Sequence, residues 1–196
     1  MSTAENQKGK VIFIGDAGVG KTALLHRIID DQFYENFGPT ISSGHYNLTA
    51  TDNIGETKEI QLWDTSGQER YQAITKIFFR KANTAVICFD TTEKKTITNI
   101  STWVNLLHEE APDCKIIFVG TKADLIEDQS AILNEAMPFL QQVDYLQVII
   151  TSALSGYNVS LLKDEIVDSI KDKSIHEVAL SPQSTSEDME PKSNCC

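Results

Sequence analysis

The spacing of apolar and polar residues divides the chain into alternating strands and helices. Short apolar runs predict strands at residues 10–14, 84–90, 114–120 and 147–150. Apolar and polar residues alternate at 46–51 and 58–63, and the turn residues 52–55 between them predict a β-hairpin. Helical periodicity predicts helices at 21–30, 96–110, 130–143 and 159–173.

Details of the pattern refine these predictions. The helix at 96–110 has Ile97, Ile100, Val104 and Leu107 on one face, and it stops before a proline. Pro138 is expected to kink or divide the helix at 130–143 unless it lies in a first turn. Asn158 or Ser160 is a possible cap of the final helix. Residues 33–44 and 65–70 are expected to be loops, and 71–80 to be partly helical.

Alternation of strands with helices predicts an α/β fold, with a mostly parallel sheet covered by helices on both faces. The hairpin adds one antiparallel edge strand, which gives six strands in all. We expect one domain at 9–173, after a flexible N-terminus at 1–8. Residues 174–196 are expected to be a disordered tail, because Ser, Pro, Glu and Asp dominate it.

The composition of the chain argues against several kinds of binding partner and cellular setting. The chain has 196 residues, 41% of them hydrophobic, and a net charge of −11, which argues against nucleic acid as a partner. Its start lacks the apolar region of a signal peptide, and no apolar run is long enough to span a bilayer. Cys88 and Cys114 are expected to be inert buried thiols in a reducing compartment. The spacing of Cys and His does not suggest zinc, and a monomer is expected.

A glycine-rich segment lies between the first strand and the first helix. It reads Gly15-Asp16-Ala17-Gly18-Val19-Gly20-Lys21-Thr22 and matches G-x-x-x-x-G-K-[ST] in the strand–loop–helix context that this motif requires. Its backbone N–H groups and the helix N-terminus would surround a phosphate. Lys21 would reach the β- and γ-phosphates, and the Thr22 hydroxyl would hold Mg²⁺.

A second motif, Trp63-Asp64-Thr65-Ser66-Gly67-Gln68-Glu69-Arg70, follows the second strand of the hairpin. Asp64 at the strand end would hold Mg²⁺ through a water. Gly67 would present its backbone N–H to a γ-phosphate. Gln68 would orient a water for in-line attack, which makes it the candidate catalytic residue.

Two further segments follow later strands. In Thr121-Lys122-Ala123-Asp124, the Asp124 carboxylate would accept hydrogen bonds from guanine N1 and N2, a donor pair that adenine lacks. The stem of Lys122 would lie along the base. In Thr151-Ser152-Ala153-Leu154, the backbone N–H of Ala153 would meet guanine O6.

Together these motifs, in this order and with Thr40 in the loop after the first helix, resemble the Ras superfamily of small GTPases over residues 9–173. Within it the Rab branch is most similar, on G-D-x-G-V-G-K-T at 15–22, W-D-T-x-G-Q-E-R at 63–70, Phe78-Phe79-Arg80 and the terminal Cys195-Cys196. The resemblance implies a P-loop NTPase G domain. It also implies a GTP/GDP switch that hydrolyses GTP slowly and regulates vesicle traffic.

The resemblance also implies roles for individual residues. Thr40 would coordinate Mg²⁺ together with Thr22 and Asp64, and Phe33 would stack on guanine, although a core role for Phe33 at a helix end is an equal alternative. The remaining residues implied to contact the nucleotide are Ala17, Gly18, Val19, Gly20, Lys21, Thr22, Ala23, Gly67, Thr121, Lys122, Asp124, Ser152, Ala153 and Leu154.

Partners are implied in the same way: effectors, an exchange factor, a GTPase-activating protein, and chaperones of prenylation and membrane extraction. Cys195 and Cys196 would carry two lipid groups, because one chain alone binds membranes only reversibly and the tail has little basic charge. Unmodified exposed thiols are the alternative. The lipid anchor would place the protein on the cytoplasmic face of an intracellular membrane, cycling with the cytosol.

The sequence departs from the Rab pattern at several positions. Thr121 replaces the commoner Asn, and Leu154 replaces the usual Lys, which would loosen the base pocket. Residues 41–46 are atypical, and His45 in this segment is expected to be a surface or edge-strand residue. Three alternative functions stay open: a nucleotide-dependent binding module with negligible hydrolysis, a phosphate-loop kinase or ATPase, and a family member without lipid.

Overall fold

The fold is built on one sheet whose central strands are apolar throughout. The computed structural model describes residues 8–34, 40, 44–65 and 77–170. Its strands are β1 (Gly9–Ile14), β2 (Gly44–Thr51), β3 (Thr57–Asp64), β4 (Thr84–Asp90), β5 (Lys115–Thr121) and β6 (Gln147–Ile150). The sheet order is β2-β3-β1-β4-β5-β6, and only the β2–β3 pair is antiparallel. The predicted six-stranded sheet with one antiparallel edge strand is therefore confirmed.

Helices cover both faces of the sheet. They are α1 (Lys21–Asp30), α2 (Lys94–Thr98), α3 (Ile100–Glu110), α4 (Gln129–Leu140) and α5 (Val159–Ser169), with a short 3₁₀ helix at Ala123–Leu125. Successive side chains of a strand point to opposite faces, so each apolar strand feeds two cores. Val11 and Phe13 of β1 join the core beneath α1 and α5, whereas Ile12 and Ile14 join the core beneath α2, α3 and α4.

The helix predicted at 96–110 is two helices in the structure. α2 ends at Thr98 and α3 begins at Ile100, with a turn at Asn99 between them. The predicted apolar face is nevertheless buried, since Ile97, Ile100, Val104 and Leu107 all lie in the core. Periodicity alone could not reveal the turn, because both helices present the same face to the sheet.

Two other helix predictions need correction. α4 runs through Pro138 without division and ends two residues later at Leu140, short of the predicted residue 143. A proline near the helix end removes only one of the last intrahelical hydrogen bonds, which explains why the helix tolerates it. α5 ends at Ser169 rather than at residue 173, and residues 171–173 lie outside the described part of the chain.

The predicted caps of α5 are also only partly right. Asn158 occupies the N-cap position, but its side chain makes no capping bond. Its Nδ2 instead donates to the Ile150 carbonyl at 2.9 Å, which joins the start of α5 to the end of β6. Ser160 lies inside the helix and is not a cap.

Other expectations concern single residues and terminal segments. Cys88 and Cys114 are buried free thiols, and burial raises the pKa of each to about 12, as expected for unreactive thiols. His45 is exposed on the edge strand β2, with its ring stacked 5.0 Å from that of Trp63. Both termini and most of the segments at 33–44 and 65–80 lie outside the described residues. Within the described residues, the helices are too short or too polar to cross a lipid bilayer.

The two-sided core predicts that a central aromatic side chain carries much of the stability. Phe118 of β5 is completely buried, and its ring lies 5.4 Å from that of Tyr145. Phe118→Ala should lower the free energy of unfolding by about 3–5 kcal/mol, measured by urea denaturation at fixed ligand concentration. Ile54→Ala is the control, because Ile54 is 70% exposed and should change stability by less than about 0.5 kcal/mol. Equal effects of the two substitutions would contradict this placement of the core.

Candidate nucleotide-binding site

The predicted site residues gather at one edge of the sheet. The carboxyl ends of parallel strands meet at one edge, and the loops that leave them form a common crevice. β1, β3, β5 and β6 run parallel within one sheet, and each is followed by one of the four motifs. Motifs as far apart in the sequence as Gly15–Thr22 and Thr151–Leu154 are thereby brought to the same edge.

The loop after β1 has a backbone that only glycine can provide at its start. Gly15 has φ of 140°, and a Cβ there would lie 2.2 Å from the Cys88 carbonyl oxygen of β4. Gly18 and Gly20 also have positive φ, and Gly20 is the N-cap of α1 without a side-chain cap. The first N–H groups of α1 thus lack a side-chain acceptor from the cap residue, which suits an anion at this helix start.

Lys21 is directed back along the phosphate loop. Its side chain is buried, and Nζ donates to the carbonyl oxygens of Gly15 and Asp16, each at 2.8 Å. Burial lowers the pKa of Lys21, and the acidic groups of Cys88, Asp64 and Asp16 offset this only in part. The ammonium group is therefore held in a desolvated position beside the loop, where it would interact strongly with an anionic ligand.

Asp16 connects the phosphate loop to the core beneath α2, α3 and α4, and the sequence did not reveal this contact. Its two carboxylate oxygens accept hydrogen bonds from Trp103 Nε1 at 2.8 Å and Asn99 Nδ2 at 2.7 Å. Asn99 is the residue at the turn between α2 and α3. The turn that divides the predicted helix therefore coincides with an anchor for the phosphate loop.

Three oxygen-bearing side chains meet where Mg²⁺ binding was predicted. Thr22 Oγ1 donates to Asp64 Oδ2 at 2.6 Å and lies 2.8 Å from Thr40 Oγ1. Asp64 Oδ1 is buried and has no hydrogen-bond partner among the residues that the structure describes. Burial raises the pKa of Asp64, and the hydrogen bond from Thr22 and the charge of Lys21 offset this only in part. This set of hard oxygen donors, one of them unsatisfied, fits a bound Mg²⁺ ion.

A cavity of about 280 Å³ lies beside the phosphate loop. Its lining includes the following predicted nucleotide contacts: Gly20, Ala23, Phe33, Thr121, Lys122, Asp124, Ala153 and Leu154. Val19 and Ser152 were predicted contacts as well; both are buried and are not among the residues that line this cavity.

Buried hydroxyl groups hold the cavity wall in place. Ser152 Oγ donates to Asp124 Oδ1 at 2.5 Å, which leaves the other carboxylate oxygen available. Thr121 Oγ1 lies 2.5 Å from the Val19 carbonyl and 3.1 Å from the Phe89 carbonyl. Thr121 thus ties the end of β5 to the phosphate loop, which a hydroxyl can do in place of the commoner Asn.

Lys122 is fixed by an ion pair at the end of β4. Its Nζ lies 2.5 Å from Asp90 Oδ2. Burial alone would raise the pKa of Asp90, but hydrogen bonds from Lys122 and Thr92 outweigh it and hold that pKa below its usual range. With the ammonium group held there, the stem of Lys122 forms part of the cavity wall.

Arg27 of α1 is a second residue that the sequence did not reveal. Its Nε donates to the Ala153 carbonyl at 2.7 Å, and Nη2 donates to the Leu154 carbonyl at 2.6 Å. These residues are 126 and 127 positions away, so no local pattern could predict the contact. Gly67 and Gln68, like Cys195 and Cys196, lie outside the described residues.

Comparison with known proteins agrees with this geometry. Residues 10–172 match the model of the family described as Ras family. Ras-related protein Rab-12 of Rattus norvegicus is 32% identical over 180 residues, covering 91% of this chain and 74% of that protein. Ras-related protein Rab-1A of Dictyostelium discoideum is 32% identical, with 95% of this chain and 96% of that protein covered. GTP-binding protein YPTM2 of Zea mays is 30% identical, and 95% of each chain is covered.

The family match spans nearly the whole described chain, and the relatives align over most of their own length. Together with the phosphate loop and the oxygen cluster at the same sheet edge, this shows that the chain belongs to the Ras family and is a Rab-like small GTPase.

Proposed function

We propose that this protein is a GTP/GDP switch that binds guanine nucleotide with Mg²⁺, hydrolyses GTP slowly, and regulates vesicle traffic through effectors. The observation that carries the proposal is the position of Asp124. Its carboxylate lines a cavity of about 280 Å³ that also includes Gly20 at the end of the phosphate loop. One ligand with a purine and a polyphosphate would therefore reach both parts of the site.

Selection of guanine follows from the arrangement around Asp124. Ser152 holds one carboxylate oxygen, so the side chain is presented in a fixed orientation to the N1–H and N2–H donors of guanine. Adenine offers an unprotonated N1 and no amino group at C2, so it would leave the carboxylate unpaired. An unpaired charged acceptor of this kind is costly, which favours guanine over adenine.

The residues that would bind the phosphates and Mg²⁺ follow from their positions in the site. Lys21 and the first N–H groups of α1 would bind the β- and γ-phosphates. Thr22, Thr40 and Asp64 would hold Mg²⁺, which when bound neutralises phosphate charge. Thr40 would also contact the γ-phosphate through its backbone. Hydrolysis removes the γ-phosphate, which would release both the loop that contains Thr40 and the loop that contains Gly67.

Hydrolysis is assigned to Gln68, which would orient the attacking water. The nucleotide state would be read by effectors and set by an exchange factor and a GTPase-activating protein. Lipid groups on Cys195 and Cys196 would attach the protein to the cytoplasmic face of an intracellular membrane, and prenylation and extraction chaperones would deliver and remove it.

Competition between nucleotides tests the proposal directly. GDP and GTP should displace a fluorescent guanosine diphosphate from the full chain in Mg²⁺, whereas ATP should not. Asp124→Asn should weaken GDP binding by about ten- to hundredfold, because the buried guanine donors lose their charged acceptor. The same variant should gain affinity for xanthosine diphosphate, whose C2 oxygen can accept from the new amide.

Asp113→Asn is the matched control, since Asp113 is exposed and is not among the residues that line the cavity. It should leave both affinities unchanged. Displacement by ATP as strong as by GTP would contradict the proposal and favour a kinase or ATPase.

The role of Gln68 has its own test. Gln68→Leu should slow single-turnover GTP hydrolysis by about 10²-fold, because the water loses its positioning group, while GTP affinity stays unchanged. An activating protein that supplies an arginine should speed the wild type by about 10³–10⁵-fold but not the variant. Hydrolysis by Gln68→Leu at the wild-type rate, alone and with the activator, would rule out this role.

The lipid anchor is tested on protein from its native cell. Mass spectrometry should show both Cys195 and Cys196 modified by prenyl groups. Cys195→Ser should shift most of the protein from membrane to supernatant in flotation assays, because one chain binds only reversibly. Bare terminal cysteines on membrane-associated protein would contradict the anchor.

A further inference from the structure

The loop after β6 is held by its carbonyl groups. Ser152 O accepts from Gly156 N at 2.9 Å, and the next two carbonyls, of Ala153 and Leu154, accept from the guanidinium of Arg27. Three successive peptide groups are therefore each oriented by a hydrogen bond. Arg27 supplies two of these bonds with one planar group, which a single ammonium group could not reproduce with the same geometry.

The orientation of the carbonyls also fixes the N–H groups. No cis peptide bond occurs in the described residues, and in a trans peptide the C=O and the following N–H point in opposite directions. The N–H of Ala153 is therefore directed away from Gly156, and the N–H of Leu154 away from Arg27. Within the described part of the chain neither N–H donates a hydrogen bond.

These N–H groups lie on the cavity side of the loop. Ala153 and Leu154 line the cavity of about 280 Å³, whereas Arg27 is not among its lining residues. The Ala153 carbonyl faces Arg27, which is outside the lining, so the free N–H of Leu154 in the same peptide group is directed to the cavity side. The free N–H of Ala153 belongs to the peptide group that Gly156 holds. Hydrogen-bond donors fixed in this way suit an acceptor on the edge of a purine.

Arg27 also contacts the segment that leads to two other lining residues of the cavity. Its Nη1 donates to the backbone carbonyl of Asp31 at 2.8 Å, at the C-cap of α1. Asp31 has a left-handed backbone with φ of 53°, and the chain then leads directly to Phe33 and Tyr34, which line the cavity. One guanidinium group thereby links the wall formed by residues 33–34 with that formed by residues 153–154.

We propose that Arg27 is a positioning residue for guanine recognition. By holding the Ala153 carbonyl it fixes the N–H of Leu154, which reads the O6 edge of the base beside the N–H of Ala153, whose peptide group is held by Gly156. The inference rests on the proposed guanine-nucleotide function. It also explains why Leu154 can replace the usual Lys: the Leu154 side chain is 50% exposed, and the contact with the base belongs to the backbone that Arg27 holds.

The test compares bases that differ at one atom or group. The full chain in Mg²⁺ is titrated with GDP, with 6-thio-GDP, whose sulfur accepts hydrogen bonds more weakly at position 6, and with IDP, which lacks the 2-amino group. Wild-type protein should prefer GDP to both analogues. Arg27→Met, which keeps the apolar stem, should bind GDP about tenfold more weakly, because the N–H of Leu154 is no longer fixed.

The two preferences separate a role at O6 from a general loss of structure. In Arg27→Met the preference for GDP over 6-thio-GDP should fall clearly below that of the wild type. The preference for GDP over IDP should persist, since Asp124 and Ser152 are unchanged. Arg27→Lys should be intermediate, which provides a second variant if Arg27→Met folds poorly. Arg80→Met is the matched control, because the Arg80 side chain is 71% exposed and pairs with Glu110 at 3.5 Å.

Several outcomes would overturn the inference. They are unchanged preferences in both Arg27 variants, an equal fall of both preferences, and a wild-type protein indifferent to sulfur at position 6. If wild-type protein binds GDP tightly while the Arg27 variants keep both preferences, only the role of Arg27 fails. If wild-type protein binds no guanine nucleotide, the proposed function itself fails.

Discussion

Parallel pairing of β1 with both β3 and β4 is the constraint on which the rest of the site depends. It places the end of β1 beside Asp64 on one side and beside the Cys88 backbone on the other. The phosphate loop must leave β1 against that backbone, which only a glycine at position 15 permits. The oxygen cluster of Thr22, Thr40 and Asp64 and the start of α1 follow from this exit.

Three long-range hydrogen-bonded links hold the loops in relation to one another. Asp16 binds Asn99 and Trp103 in the core beneath α2, α3 and α4. Thr121 binds the Val19 carbonyl, and Arg27 binds the loop after β6. Each link joins a different neighbour to the phosphate loop or to α1. These contacts orient the loops, because a buried donor or acceptor left unpaired is costly.

The local charge at the site is opposite in sign to the net charge of the molecule. The chain has a net charge of −11, and the site would bind a polyanion. Buried Lys21 and the N-terminus of α1 concentrate positive potential at one edge of the sheet, and a bound Mg²⁺ ion would add to it. Because burial excludes solvent screening, these local charges act more strongly on a ligand than distant surface carboxylates do.

The sequence by itself determined the strands, the two faces of the sheet and the residues of the four motifs. Those features depend on local periodicity and on backbone requirements such as glycine, which are visible within short windows of sequence. Only the tertiary structure decided the division of α2 from α3, the bond between Thr121 and the Val19 carbonyl, and the long-range contacts of Asp16 and Arg27. These contacts join residues 83 to 127 positions apart, so they exist only after the sheet has set the order of its strands. A side chain such as that of Arg27 has the same local context with or without its distant carbonyl partners, and therefore a single sequence gives no sign of them.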